Sequence, residues 1–133
     1  KEAIENKIEV IPVPGPSASI CALSASGLKT GKFTYLGFLP KKAGKRRKAL
    51  SNLTEDQGSV IIYESPHRLI KCLEDILAAL GERRIVVARE MTKKFEEFKR
   101  GSTSEVLEYF KSKTIKGEVV ILIGHSDFST GEI

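Results

Sequence analysis

Cysteine is scarce in this chain. Cys21 and Cys72 stand far apart, without the paired spacing that a zinc site or a CxxC redox pair needs. Two free, buried thiols in a reducing cytoplasm are therefore expected, with neither disulfide nor bound metal. No apolar run approaches the roughly 20 residues that span a bilayer, which excludes a helical membrane segment. The opening residues, Lys1 to Lys7, lack the layout of a signal peptide. They read instead as the last turns of a helix begun earlier, and no initiator methionine precedes them, so a domain cut from a longer protein is expected. Internal repeats are absent, as are GxGxxG, the P-loop and the nucleophile elbow, so the common nucleotide-binding and hydrolase fingerprints point nowhere here.

What is present is ordinary in bulk and informative in order. With 133 residues, 41% hydrophobic and 29% charged, the chain fits one soluble domain able to bury a core. A net charge of +5 suits a polyanionic partner such as RNA, and equally suits a protein with none.

The stretch from Val10 to Ala18 organises the rest. It reads as a short apolar strand over residues 8–13, broken by Pro14, Gly15, Pro16 and Ser17, and running into an apolar helix over residues 17–26 with Ser17 as its cap. The unpaired N–H groups at such a helix start suit a polar or anionic ligand group, and an ordinary helix-opening turn has the same sequence. Gly27 closes the helix, and a strand over residues 33–39 follows, ended by Pro40. Lys41, Lys42, Lys45, Arg46, Arg47 and Lys48 then place six cations within eight positions, leading a helix to Leu53. The cluster is either a solvated face or a contact for phosphates.

Residues 59–63 form a strand apolar on both faces, as in the interior of a covered sheet. At its end stand Tyr63, Glu64, Ser65, Pro66, His67 and Arg68, followed by a helix to Leu80 with apolar positions at helical spacing and Gly81 beyond. Polar groups at the mouth of a central strand fit a ligand site of an α/β sheet, while Glu64, His67 and Arg68 equally suit mutual pairing and capping. A strand over residues 84–91 opens into Arg89, Glu90, Lys93 and Glu96, which form either part of that mouth or a self-neutralising surface network. Phe95 and Phe98 suggest a short non-parallel strand turning its aromatics inward. Ser102 and Glu105 have capping-box spacing for a helix carrying Val106, Leu107, Tyr109 and Phe110. The last strand covers residues 117–125, with a frayed tail over residues 127–133. The alternation gives an α/β fold, a layered, mostly parallel or mixed sheet with helices on both faces.

Five segments carry a resemblance beyond this pattern: VIPVPGPSA (10–18), YLGFLPKKAGKRRKAL (35–50), YESPHRL (63–69), LGERRIVVAREMTKKFEE (80–97) and KGEVVILIGH (116–125). In this order they resemble the C-terminal half of the bacterial 16S ribosomal RNA cytidine 2′-O-methyltransferases, a group within the tetrapyrrole methylase superfamily. Met91 is one departure, where leucine is expected, and the swap conserves volume. The resemblance implies a fold like the C-terminal domain of those enzymes over residues 1–133, with S-adenosylmethionine as cofactor in a cleft completed by a first domain not in this sequence. It implies a cytoplasmic homodimer acting on 16S rRNA of the small ribosomal subunit. Pro14, Gly15, Pro16, Ser17, Ala18 and Tyr63 would then lie on the donor side. Candidates for proton removal are Glu64, Glu90 and Glu96, with His67 behind them. Arg68, Arg89 and Lys93 would hold phosphate or a partner carboxylate, and the Lys41 to Lys48 cations would form an outer RNA contact. Two rivals share much of this pattern: a methyltransferase of the same fold acting on a tetrapyrrole, and a non-catalytic RNA-binding module.

Overall fold

The computed structural model describes residues 1–126. The tail expected over residues 127–133 lies outside them. A one-turn helix α1 (Glu2–Glu5) is followed by α2 (Ala18–Ser24), β1 (Phe33–Phe38), α3 (Ala43–Ser51), β2 (Ser59–Glu64) and α4 (Leu69–Leu80). Then come β3 (Arg84–Arg89), β4 (Glu97–Ser102), α5 (Thr103–Lys111) and β5 (Val119–Ile123). No helix among the described residues is long and apolar enough to cross a membrane.

The five strands form one sheet in the order β1-β2-β5-β3-β4. Only β1 and β2 pair in parallel; β5 runs antiparallel between β2 and β3, and β4 closes the far edge antiparallel to β3. The sheet is therefore mixed. β5 is buried at every residue, because it is the middle strand and both of its faces are covered. Its Val-Val-Ile-Leu-Ile sequence suits that place.

Strand alternation sorts these side chains into two cores. Val60, Ile62, Ile85, Val87, Val119 and Ile121 face α4 and α5, where Leu69, Leu73, Ile76, Val106 and Phe110 meet them. Ile61, Val86, Ala88, Val120 and Leu122 face the other way, onto Ala22 and Leu23 of α2. Truncating a fully buried side chain of the larger core, such as Leu73, costs about 2–5 kcal/mol. α5 opens with the expected capping box: Ser102 Oγ accepts the Glu105 N–H at 3.2 Å, and a Glu105 carboxylate oxygen accepts the Ser102 N–H at 2.8 Å.

Three local expectations are corrected. Residues 8–13 form no strand: Ile8, Val10, Ile11 and Val13 are exposed, and Pro12 cannot donate to a ladder. Cys21 is exposed, because α2 turns Ala22 and Leu23 to the sheet, whereas Cys72 is buried on α4. Burial, with the nearby Glu64 charge adding, pushes the Cys72 thiol up to about 12. Phe95 is exposed in the turn before β4, and only Phe98 turns onto the α2-side core.

Candidate active-site cleft

β1, β2 and β3 end, and β5 begins, at the same edge of the sheet. A cleft of about 480 Å³ opens there. Tyr63, Glu64, Ser65 and Pro66 form one wall, and Glu90 with Lys93 forms another. Gly117, Glu118, Val119 and Val120 make the floor, with Phe38 and Ala18 at the rim. A larger cavity of about 590 Å³ lies at the other end of β3, by Arg84, and its Arg100 guanidinium already donates to the carbonyls of Ala25 and Ser26. None of the expected site residues lines it.

The cleft is held open by a clasp between the end of β3 and the start of β5. Glu90 lies in the left-handed region at φ 51°, and its N–H donates to the Glu118 carbonyl at 3.2 Å. Glu90 Oε1 accepts the Glu118 N–H at 3.0 Å and sits 3.5 Å from Lys93 Nζ. Gly117 takes φ 84°, and a Cβ there would fall 1.7 Å from Glu90 Oε1, so glycine is required by both backbone and neighbour. Thr92 also has positive φ, at 67°. Such conformations cost of order 1–3 kcal/mol each for non-glycine residues and persist only where surrounding contacts hold them.

On the opposite wall Glu64, only 5% exposed, accepts the Ser65 N–H at 2.7 Å and Arg68 Nε at 2.9 Å. The pairing reading of this motif is thus realised, with the carboxylate still at the cleft wall. Ser65 Oγ accepts the His67 N–H at 3.3 Å, and His67 itself is exposed outside the cleft. The Tyr63 hydroxyl accepts the Ser19 N–H at 3.0 Å and so meets a donor at the start of α2. Ser17 makes no cap; its hydroxyl lies 2.9 Å from that of Ser19. Pro14, Gly15, Pro16 and Ser17 do not line the cleft, and Ala18 does.

Arg89 and Glu96 stand apart from the cleft. Arg89 donates through Nε to Glu97 at 3.1 Å and through Nη1 to the Lys116 carbonyl at 2.7 Å. Glu96 accepts the Thr92 N–H at 3.0 Å within its own turn. Burial pushes the Glu97 carboxyl up, but hydrogen bonds from Tyr109 and Arg89 outweigh it and hold the group below its ordinary value. The basic run divides too. Lys41, Lys42, Lys45, Arg47 and Lys48 are exposed, but Arg46 is 3% exposed and bonds Asp75 on α4 at 2.6 Å. Its guanidinium also donates to the Lys41 carbonyl at 3.0 Å, so it anchors the turn instead of facing a partner.

Phe38, Gly117 and Glu118 were not singled out by sequence. Phe38 closes β1, and Gly117 and Glu118 precede β5, at the same sheet edge as Glu64, a signal that needs the strand order to be read. The cleft suits a nucleoside bearing a cationic tail. Tyr63 and Pro66 on the wall and Val119 and Val120 on the floor offer apolar surface, and the carboxylates of Glu90 and Glu118 face the single ammonium of Lys93. Its volume falls in the range of small-molecule sites. No group of three or more His, Cys, Asp or Glu positioned for a metal occurs among the described residues.

Known proteins resemble this chain along most of its length. The ribosomal RNA small subunit methyltransferase I of Halalkalibacterium halodurans is 45% identical over 121 residues, 91% of this chain and 42% of that protein. Its namesake from Escherichia coli O157:H7 is 46% identical over 125 residues, 91% of this chain and 44% of the relative. The chain thus spans less than half the length of these curated relatives. Among solved structures, the methyltransferase CobJ superposes with a TM-score of 0.65 at 20% identity, over 94% of this chain and 56% of that one. Uroporphyrin-III C-methyltransferase from Thermus thermophilus, complexed with S-adenyl homocysteine, gives a TM-score of 0.54 at 13% identity, over 90% and 55%. These establish the fold. The model for tetrapyrrole (corrin/porphyrin) methylases matches residues 1–107, and the chain belongs to that family.

Proposed function

We propose that this chain forms the C-terminal half of an S-adenosylmethionine-dependent methyltransferase that modifies 16S ribosomal RNA of the small subunit at the ribose 2′-oxygen of a cytidine. The observation that carries the reading is the 45% identity to a small-subunit rRNA methyltransferase across 91% of the chain, which takes in the cleft and the cation run together. As the family resemblance implies, the whole protein acts in the cytoplasm as a homodimer.

S-adenosylmethionine supplies an electrophilic methyl group on a sulfonium. The chain's own residues have three tasks. Tyr63, Pro66, Val119 and Val120 receive the adenosine and exclude water from it. Glu90 and Glu118, offset by Lys93, keep the cleft mildly anionic and so favour a cationic donor. The exposed cations Lys41, Lys42, Lys45, Arg47 and Lys48 hold RNA phosphates and bring the ribose to the cleft mouth. Alignment of the attacking hydroxyl carries the catalysis in this reading. Both carboxylates expected to take its proton at the cleft, Glu64 and Glu90, already accept hydrogen bonds that fix the walls.

The test is methyl transfer by the natural full-length protein from labelled S-adenosylmethionine to small ribosomal subunits lacking the modification. Label on a cytidine 2′-oxygen is expected. Label on a base, or donor binding without transfer to RNA, would reject the acceptor; the absence of donor binding would leave an RNA-binding module.

A further inference from the structure

Phe38 is a large aromatic left 66% exposed at the rim of the cleft. In a regular strand Tyr35 and Phe38, three residues apart, would point to opposite faces. The pairing of β1 with β2 breaks register between Tyr35 and Gly37, and this bulge re-aims Phe38 to the face of Tyr35 and Tyr63. Both rings meet Tyr63 edge to face, Tyr35 at 5.2 Å and Phe38 at 5.8 Å between centroids. Phe38 therefore presents one flank to Tyr63 and keeps the rest for solvent. Three residues later the chain enters the cation run, and the buried Arg46 fixes the intervening turn through the carbonyls of Pro40, at 3.5 Å, and Lys41, at 3.0 Å. An exposed ring, a bulge that aims it, and exposed cations on a rigid turn beside it are the parts of a single-strand RNA site, in which bases stack on aromatics while phosphates follow the charge.

We infer that Phe38 is the stacking platform for an unpaired base of the RNA acceptor, with the adjoining phosphates running onto Lys41, Lys42 and Lys45. The inference rests on the RNA reading above and assigns the specific contact within it. The charge beside the ring selects this occupant over an apolar protein segment. Stacking is indifferent to base identity, so Phe38 supplies affinity and placement, and the ribose of the stacked or neighbouring nucleotide is brought to the donor.

The test uses the natural full-length protein with Phe38→Ala, Phe38→Leu and Phe38→Tyr. Affinity for a short single-stranded RNA carrying 2-aminopurine, donor affinity by calorimetry, and KM and kcat on small subunits are measured for each. Phe38→Ala is expected to weaken RNA binding roughly 5- to 100-fold, with loss of the fluorescence quenching that reports stacking. KM should rise by a similar factor, while donor affinity and the slope of RNA affinity against salt stay unchanged. Phe38→Tyr keeps the ring and should restore binding; Phe38→Leu keeps apolar bulk alone and should not. Full binding by Phe38→Ala, full rescue by leucine, or an equal loss of donor affinity would overturn the platform. If the wild type binds RNA with quenching yet transfers no methyl, the platform stands and the methyl-transfer reading falls.

Discussion

Glu90 shows how a residue type that suggests catalysis also holds architecture. A carboxylate at the end of a buried strand, beside a basic residue, is what a general base looks like in sequence. In the fold its Oε1 accepts the Glu118 N–H, its own N–H meets the Glu118 carbonyl, and its backbone holds a positive φ. Removing that oxygen would free the Glu118 amide and release the β3–β5 clasp that forms the cleft floor. Glu90→Gln keeps a carbonyl oxygen for this bond but removes one of the two charges that favour the cationic donor, so it should keep the clasp and most turnover while losing donor affinity only modestly. Glu90→Ala should lose donor affinity about tenfold or more, in line with about 1–3 kcal/mol for an orphaned donor. Donor titration of both variants checks this. If glutamine is as damaging as alanine and shifts the pH–rate profile, Glu90 is a base after all. Gly117→Ala, which drives a methyl group into Glu90 Oε1, should reproduce the alanine variant at the other side of the clasp.

Helix α3 carries two kinds of basic residue that sequence alone does not separate. Arg46 and Arg47 both bond Asp75 on α4, at 2.6 and 2.7 Å, but the Arg46 side chain is buried and that of Arg47 exposed. Burial pushes the Asp75 carboxyl up, but the hydrogen bonds from Arg47 and Arg46, with their charges, outweigh it and hold the group below its ordinary value. A depressed folded value means that the pair's contribution is fully present above the unfolded value of about 3.9 and is lost as pH falls through the folded one. Asp75→Ala leaves the Arg46 charge buried and unpaired, which should cost about 3–5 kcal/mol at neutral pH. Its stability should also fall less steeply than the wild type's below about pH 4, because the linked carboxylate is gone. Urea melts between pH 3 and 7 measure both effects. Lys45→Ala, one residue away and exposed, should instead leave the melt unchanged and lower the salt slope of single-strand RNA binding by about 0.7. An unchanged slope would remove Lys45 from the RNA surface.

Over the whole chain, what was legible in sequence was what local periodicity records. The interior strands β2, β3 and β5, the amphipathic α4 and the capping box of α5 all follow from alternation, helical spacing and a four-residue motif. The strand proposed over residues 8–13 failed because apolar content does not supply a pairing partner. The antiparallel place of β5 between β2 and β3, the bulge that aims Phe38, and the approach of Gly117 to Glu90 depend on contacts between distant segments, to which periodicity is blind. The same contacts bear on what these 133 residues do alone. Both faces of the sheet have cores closed within the chain, so the chain should unfold cooperatively with a single transition. The cleft, by contrast, is open, and the apolar segment of Ile8, Val10, Ile11 and Val13 is exposed. The curated relatives are more than twice as long as the matched segment. On the proposed two-part cleft, this half can bind part of a donor but cannot align a methyl group with a ribose hydroxyl, and alignment is the larger share of the proposed catalysis. The isolated 133-residue chain is therefore expected to fold, to bind RNA through its cations, and to show no methyl transfer to small subunits that the full-length protein modifies. Robust turnover by the chain alone would place the complete catalytic apparatus within these residues and overturn the two-part cleft.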